Sequence, residues 1–156
     1  MRKRLFLGLG LCLVVTLFFS LALAQDKATK DECVAKCKEA AKLIKEKGLD
    51  AALKVLNDPK GPFVWKDSYI FTINIDTGLT LSHLNPKMIG KNLVEVKDVN
   101  GKLFYAEYIE VAKNKGEGWV NYMWPKPNEK TPSKKLTYIY RVPGEPIALG
   151  AGIYEN

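Results

Sequence analysis

The stretch from Tyr69 to Asn92, YIFTINIDTGLTLSHLNPKMIGKN, constrains the fold of this chain more than any other. Tyr69, Phe71, Ile73 and Ile75 fall on one face of an extended run, and Leu79, Leu81 and His83 share a face of the next. Asp76, Thr77 and Gly78 stand between them, where a reversal needs turn residues. Period-two alternation broken by such a turn is the signature of a half-buried hairpin. A polar, turn-rich segment follows, Asn85-Pro86-Lys87 and then Gly90-Lys91-Asn92. An apolar hairpin that delivers the chain's single histidine to its inner face suits the floor of a pocket better than a plain core.

Residues 1–24 read as an export signal. Arg2, Lys3 and Arg4 give the positive start, Leu5 to Leu21 the apolar run, and Ala22-Leu23-Ala24 the small-x-small cleavage pattern. The competing reading is an uncleaved membrane anchor, because the run is nearly long enough to span a bilayer. The well-formed small-residue site favours cleavage before Gln25, into the periplasm or the exterior. Residues 25–156 then form one domain, long enough to bury a sizeable core. The whole-chain charge of +7, less Arg2, Lys3 and Arg4, leaves +4 on scattered lysines. Scattered charge on an exported protein argues against nucleic acid and favours small anionic ligands.

Thr29-Lys30-Asp31-Glu32 forms a capping box ahead of an apolar-periodic run, predicting a helix from Lys30 to Lys47 closed by Gly48. Cys33, Cys37, Ala40 and Ile44 recur at helical spacing and share its stripe. Helix neighbours four apart hold their Cβ atoms about 5–6 Å from each other, whereas a relaxed disulfide wants about 3.8 Å. A Cys33–Cys37 bridge therefore needs a distorted first turn, and the alternative is a pair of small buried hydrophobes. One distant histidine and two thiols make an incomplete metal site, and no haem-attachment motif is present, so no cofactor is predicted. Asp50 reads as the cap of a second helix ending before Pro59. Asn92 to Val96 reads as a short helical turn, and Asp98 to Gly101 as a turn.

Lys102 to Lys115 reads as a third helix with Leu103, Ala106, Tyr108, Ile109 and Ala112 on its buried side. Val120, Tyr122 and Trp124 then share one strand face. A polar, proline-rich loop spans Pro125 to Lys135, after which Leu136, Tyr138, Tyr140 and Val142 alternate. The last strand, Ile147 to Tyr154, carries Gly150 and Gly152, where a backbone or ligand can approach closely. This order of elements predicts an α+β fold: an antiparallel sheet with helices on one side and a long helix leading in.

The succession Ile75–Gly78, Ser82–Pro86, Met88–Asn92, Asp98–Lys102, Gly116–Pro127, Lys134–Tyr138 and Gly150–Tyr154 resembles a single Cache domain, the PAS-like extracytoplasmic sensor module of bacterial chemoreceptors and histidine kinases. The resemblance covers nearly all of Lys30 to Tyr154. It implies a five- or six-stranded antiparallel sheet behind a long N-terminal helix, with connecting helices and a pocket between them. It also implies a small-molecule ligand, often a short carboxylate, with His83, Tyr122, Trp124, Lys126, Lys135 and Tyr138 around it. Receptors of that family continue through a membrane helix into a signalling domain. This sequence stops at Asn156, so a stand-alone sensor with a membrane-bound signalling partner is expected. The paired cysteines are not a mark of the family.

Each residue has a plainer reading. His83 fits a hydrogen-bonded core, Tyr122, Trp124 and Tyr138 fit core packing, and Lys126 and Lys135 flank a loop where solvation is the default. No nucleophile–base motif accompanies the one histidine, so an enzyme is not expected. A ligand-binding sensor and an interaction module without a working pocket, pairing through the long helix as a homodimer, remain the two leading readings.

Overall fold

The computed structural model describes residues 27–155; the export signal read in residues 1–24 lies outside them. Helix α1 runs Lys30–Lys47. Thr29 Oγ1 accepts the Glu32 N–H at 3.2 Å and Glu32 Oε2 accepts the Thr29 N–H at 2.8 Å, so the predicted capping box is present. Gly48, at φ +78°, ends α1 by donating its N–H to Ile44 O at 2.9 Å. Helix α2, Leu49–Leu56, starts directly after it, which puts Asp50 in the first turn rather than at the cap.

Strands β1 (Val64–Trp65) and β2 (Ser68–Tyr69) form a small hairpin. Strands β3 (Phe71–Asn74), β4 (Thr80–Ser82), β5 (Glu117–Pro125), β6 (Pro132–Arg141) and β7 (Ile147–Tyr154) form one antiparallel sheet in the order β4-β3-β7-β6-β5. Helix α3, Phe104–Asn114, joins β4 to β5. The architecture is α+β and PAS-like, as expected. The helices, however, divide between the two faces. Cys33, Cys37, Ala40 and Ile44 of α1 meet Leu149, Ala151 and Tyr138 on one face. Phe104, Tyr105 and Tyr108 of α3 meet Phe71, Ile73, Val120, Tyr122 and Ile139 on the other.

Three local expectations are corrected. The hairpin does alternate, with Tyr69, Phe71, Ile73 and Ile75 all buried in the α3-side core. Yet a register shift between Thr72 and Ile73 pairs them with Ser82 and Thr80 and inserts Leu81 as an extra residue. A bulge of this kind reverses the alternation beyond it. Leu81 therefore packs toward α1, while the His83 ring meets Tyr69 and Phe71. Helix α3 starts two residues later than predicted, because Asp98 Oδ1 accepts the Lys102 N–H at 2.9 Å and holds that segment as a loop. Its buried side is Phe104, Tyr105, Tyr108, Val111 and Ala112, with Leu103 left 41% exposed. The segment from Asn92 to Val96 forms a turn closed by the Val96 N–H on Leu93 O, not a helix.

The proline-rich loop is also shorter than read. The β5–β6 ladder runs out to Pro125 opposite Pro132, so Lys134 and Lys135 are strand residues. Each border of the sheet is capped at one end or point by a loop. Asp98 Oδ2 accepts the Met123 N–H of β5 at 2.8 Å, and Lys102 Nζ donates to Asn121 O at 2.6 Å. On β4, the Thr80 N–H donates to Lys91 O at 2.9 Å and Thr80 O accepts from the Gly90 N–H at 2.8 Å.

Candidate ligand-binding site

Alternation along β6 sends Lys135, Thr137 and Ile139 toward α3, with Lys135 directly opposite Tyr122 of β5. Lys135 is 1% exposed, against the solvated role its charge suggests. Room for it comes from Gly152 on the neighbouring strand: a Cβ there would stand 2.7 Å from Lys135 Cε and 2.4 Å from Thr137 Oγ1. The ammonium lies 4.3 Å from the centroid of the Tyr69 ring and 5.0 Å from that of Tyr154. Among the described residues it has no hydrogen-bond partner. Two ring faces offset an ammonium's desolvation by about 2 kcal/mol or somewhat more, against several kcal/mol lost on leaving water. Burial accordingly lowers the Lys135 amine from its ordinary 10.5 to about 7, opposed by the nearby Cys33 and Asp67.

The other groups fix one another. The Asn85 N–H donates to His83 Nδ1 at 2.9 Å, so the proton of the neutral ring sits on Nε2, which lies 3.4 Å from the Tyr69 hydroxyl. Burial, and then the charge of Lys135, push His83 down to about 3, so the ring is neutral at ordinary pH. Trp124 Nε1 donates to the same Tyr69 oxygen at 3.1 Å. With two N–H groups aimed at its oxygen, Tyr69 has its own O–H left to offer. Tyr122 stacks on Phe104 at 4.6 Å with 7° between the rings, and its hydroxyl accepts from Thr137 Oγ1 at 3.3 Å. The Tyr154 hydroxyl donates to Pro125 O at 2.8 Å, tying the end of β7 to the β5–β6 turn.

A hollow of about 520 Å³ opens beside this cluster, lined by Tyr69, His83, Met88, Trp124 and Lys126 among others. Its walls are the turn at Pro86–Met88 and the loop after Pro125. That volume suits a small ligand. A second hollow, about 330 Å³, lies against the other face of β5 and β6, where Asn121, Met123, Lys134 and Leu136 point. Asp98, Lys102 and Glu155 make it a mixed-charge surface, and Tyr122 and Lys135 border it as well, although their side chains alternate to the α3 face. The first hollow is the candidate because it borders Tyr69, His83 and Trp124; Lys135 is not on its wall but lies against the Tyr69 ring.

The structure brings His83, Tyr122, Trp124 and Lys135 together and sets Lys126 at the rim. It does not bring Tyr138 there. Tyr138 alternates to the α1 face, where its ring meets Trp119 at 5.2 Å and its hydroxyl donates to Glu117 Oε2 at 2.5 Å. Cys33 and Cys37 are both buried free thiols, with burial raising Cys33 to about 11 and Cys37 well above the ordinary thiol range. Tyr69, Tyr154 and Gly152 were not named from sequence as site residues. A glycine within a strand was the one visible signal for the notch that admits Lys135.

A sequence model of the Cache domain family matches residues 34–156. The methyl-accepting chemotaxis protein McpP of Pseudomonas putida is 28% identical over 88 residues, which are 56% of this chain and 16% of that protein. The chain thus spans about a sixth of the length of that relative. A Cache chemosensory domain whose structure is described as the basis for carboxylic acid recognition superposes with a TM-score of 0.71 at 25% identity, covering 81% of this chain and 92% of that one. A methyl-accepting chemotaxis protein of Vibrio parahaemolyticus gives a TM-score of 0.68 at 26% identity, covering 80% and 87%.

Proposed function

The chain belongs to the Cache domain family, and from that premise we propose that it is an extracytoplasmic sensor domain that binds a short carboxylate against Lys135. Residues 1–24 serve as its export signal and residues 25–156 as the sensing domain. It binds rather than transforms its ligand and works through a membrane-bound signalling partner. The observation that carries the reading is the Lys135 ammonium, fully buried and without a hydrogen-bond partner among the described residues. An unpaired buried charge is costly, and an anion that pairs with it recovers much of that cost. The Tyr69 O–H is a second donor beside it. Leu84, Met88 and Trp124 give an apolar wall for a short hydrocarbon tail, with Phe104 and Tyr122 packed around Trp124. Recognition of carboxylic acids by a structurally similar Cache domain supports the choice of anion.

Calorimetric titration with acetate, propionate and pyruvate tests this on the wild type and on Lys135→Met. Losing a hydrogen bond to a charged group costs about 1.5–3 kcal/mol, so the variant should bind about ten- to a hundred-fold more weakly. If no probe binds the wild type, the carboxylate reading falls and the interaction module takes its place. Mass spectrometry of the exported protein tests the leader, with an N-terminus at Gln25 expected and a retained Met1 refuting cleavage.

A further inference from the structure

We propose that the hairpin tip from Trp65 to Tyr69 carries ligand occupancy from the Lys135 site to the start of α1; this rests on the reading of that site given above. Asp67, Ser68 and Tyr69 are consecutive and all buried, yet each reaches a different part of the molecule. Asp67 Oδ1 accepts the Ala28 N–H at 2.8 Å, two residues ahead of α1. Ser68 Oγ donates to Gly152 O at 2.7 Å, on the residue whose missing side chain admits Lys135. Tyr69 gives its ring to the Lys135 ammonium and its oxygen to Trp124 and His83.

The turn between these groups has little slack. The pairing of Trp65 with Ser68 leaves only Lys66 and Asp67 to reverse the chain, and Lys66 takes a left-handed φ of +49°. Lys66 Nζ also holds Glu32 Oε1 at 2.7 Å, and the other oxygen of that carboxylate anchors the Thr29 N–H. The tip therefore grips the start of α1 at two points, Ala28 and Glu32. Non-glycine residues in left-handed geometry persist where their surroundings hold them, and they gather at ligand clamps and switch regions. With both flanks pinned, a shift of the Tyr69 ring passes to Asp67 and so to the Ala28 amide. An anion seated between Lys135 and the Tyr69 O–H orders the tip and tightens that grip.

Amide exchange resolved to single residues by NMR, with and without acetate or propionate, tests the coupling. In the wild type, probe binding should slow exchange at Ala28 and Thr29 by about tenfold. Lys66→Gly removes the strained turn and the Glu32 contact without touching the pocket. It should keep probe affinity within about twofold and lose most of the slowing at Ala28. Binding that leaves the Ala28 and Thr29 amides unchanged in the wild type overturns the coupling while the pocket reading stands. Slowing that persists at full size in Lys66→Gly overturns it too. If neither probe binds the wild type, the pocket reading fails and the coupling fails with it.

Discussion

The two faces of the sheet are both buried, but by opposite means. Under α1 the contact centres on small and aliphatic groups, Cys33, Cys37, Ala40, Ala151 and Leu149, each 0% exposed, with Phe63, Tyr138 and Trp65, whose Nε1 is unpartnered, around them. Under α3 it is made largely of aromatic rings with polar tips, and the Lys135 ammonium against Tyr69 and the Tyr108 hydroxyl are unpartnered there. A close-packed apolar face gains stability from every atom it hides. A face that hides an ammionium gives stability up, and natural proteins concentrate such concessions where they bind or act. On the carboxylate reading proposed above, the difference separates the part of this domain that holds it together from the part that responds.

The contrast is broken most sharply by Leu149→Ala. Truncating that central-strand residue should cost about 2–5 kcal/mol of stability, seen as a lower melting temperature, while acetate affinity of the folded protein stays the same. A comparable loss of affinity would mean the two faces are not separable.

Lys135→Met should move stability the other way. Removing the buried charge should raise the melting temperature of the unliganded domain by an amount worth a few kcal/mol. The sign shows in pH as well. The folded lysine titrates near 7 and an unfolded one at its ordinary 10.5. Between those values the unfolded chain holds the extra proton, so wild-type stability should rise as pH climbs from 7 toward 10. The penalty is fully present below 7. Anion affinity should fall over the same interval, by up to about tenfold per pH unit. Thermal melts of both proteins across that range check it; a flat wild-type profile would place the ammonium in a solvated setting.

Gly152→Ala sharpens the comparison at one atom. The new methyl displaces Thr137 and Lys135, with an overpacking cost of about 1–3 kcal/mol. It should also weaken acetate binding, because Lys135 has to leave its place. The smallest effect belongs to Tyr138→Phe on the α1 face. Losing its bond to Glu117 should cost about 0.5–1.5 kcal/mol and leave affinity unmoved; a weakened titration would return Tyr138 to the site.

Much of this was legible in the chain. Thr29, Glu32 and Gly48 announce α1 because capping is local chemistry, read from neighbours in sequence. The strand from Ile147 to Tyr154 follows from the turn residues Pro143 to Pro146 ahead of an apolar run, and the shared face of Val120, Tyr122 and Trp124 follows from alternation. What escaped depends on partners far along the chain. Lys135 sits beside a loop and reads as solvated; only its neighbour strand's Gly152 makes an interior position possible. Tyr138 was assigned to the site although it is three residues from Lys135, an odd separation that puts the two on opposite faces. The bulge at Leu81 is set by pairing with β3, so His83 reached the pocket by a reversal that alternation does not show.

The capped borders of the sheet have a consequence for the company this domain keeps. Asp98 and Lys102 take the outward hydrogen bonds of β5 at Met123 and Asn121, and Gly90 and Lys91 those of β4 at Thr80. At those positions a strand from another molecule meets backbone groups that are already paired, which hinders the edge-to-edge pairing that exposed strands invite. The capping loops themselves, Lys87 to Asn92 and Asp98 to Lys102, are then what such a strand meets first along these stretches of the border.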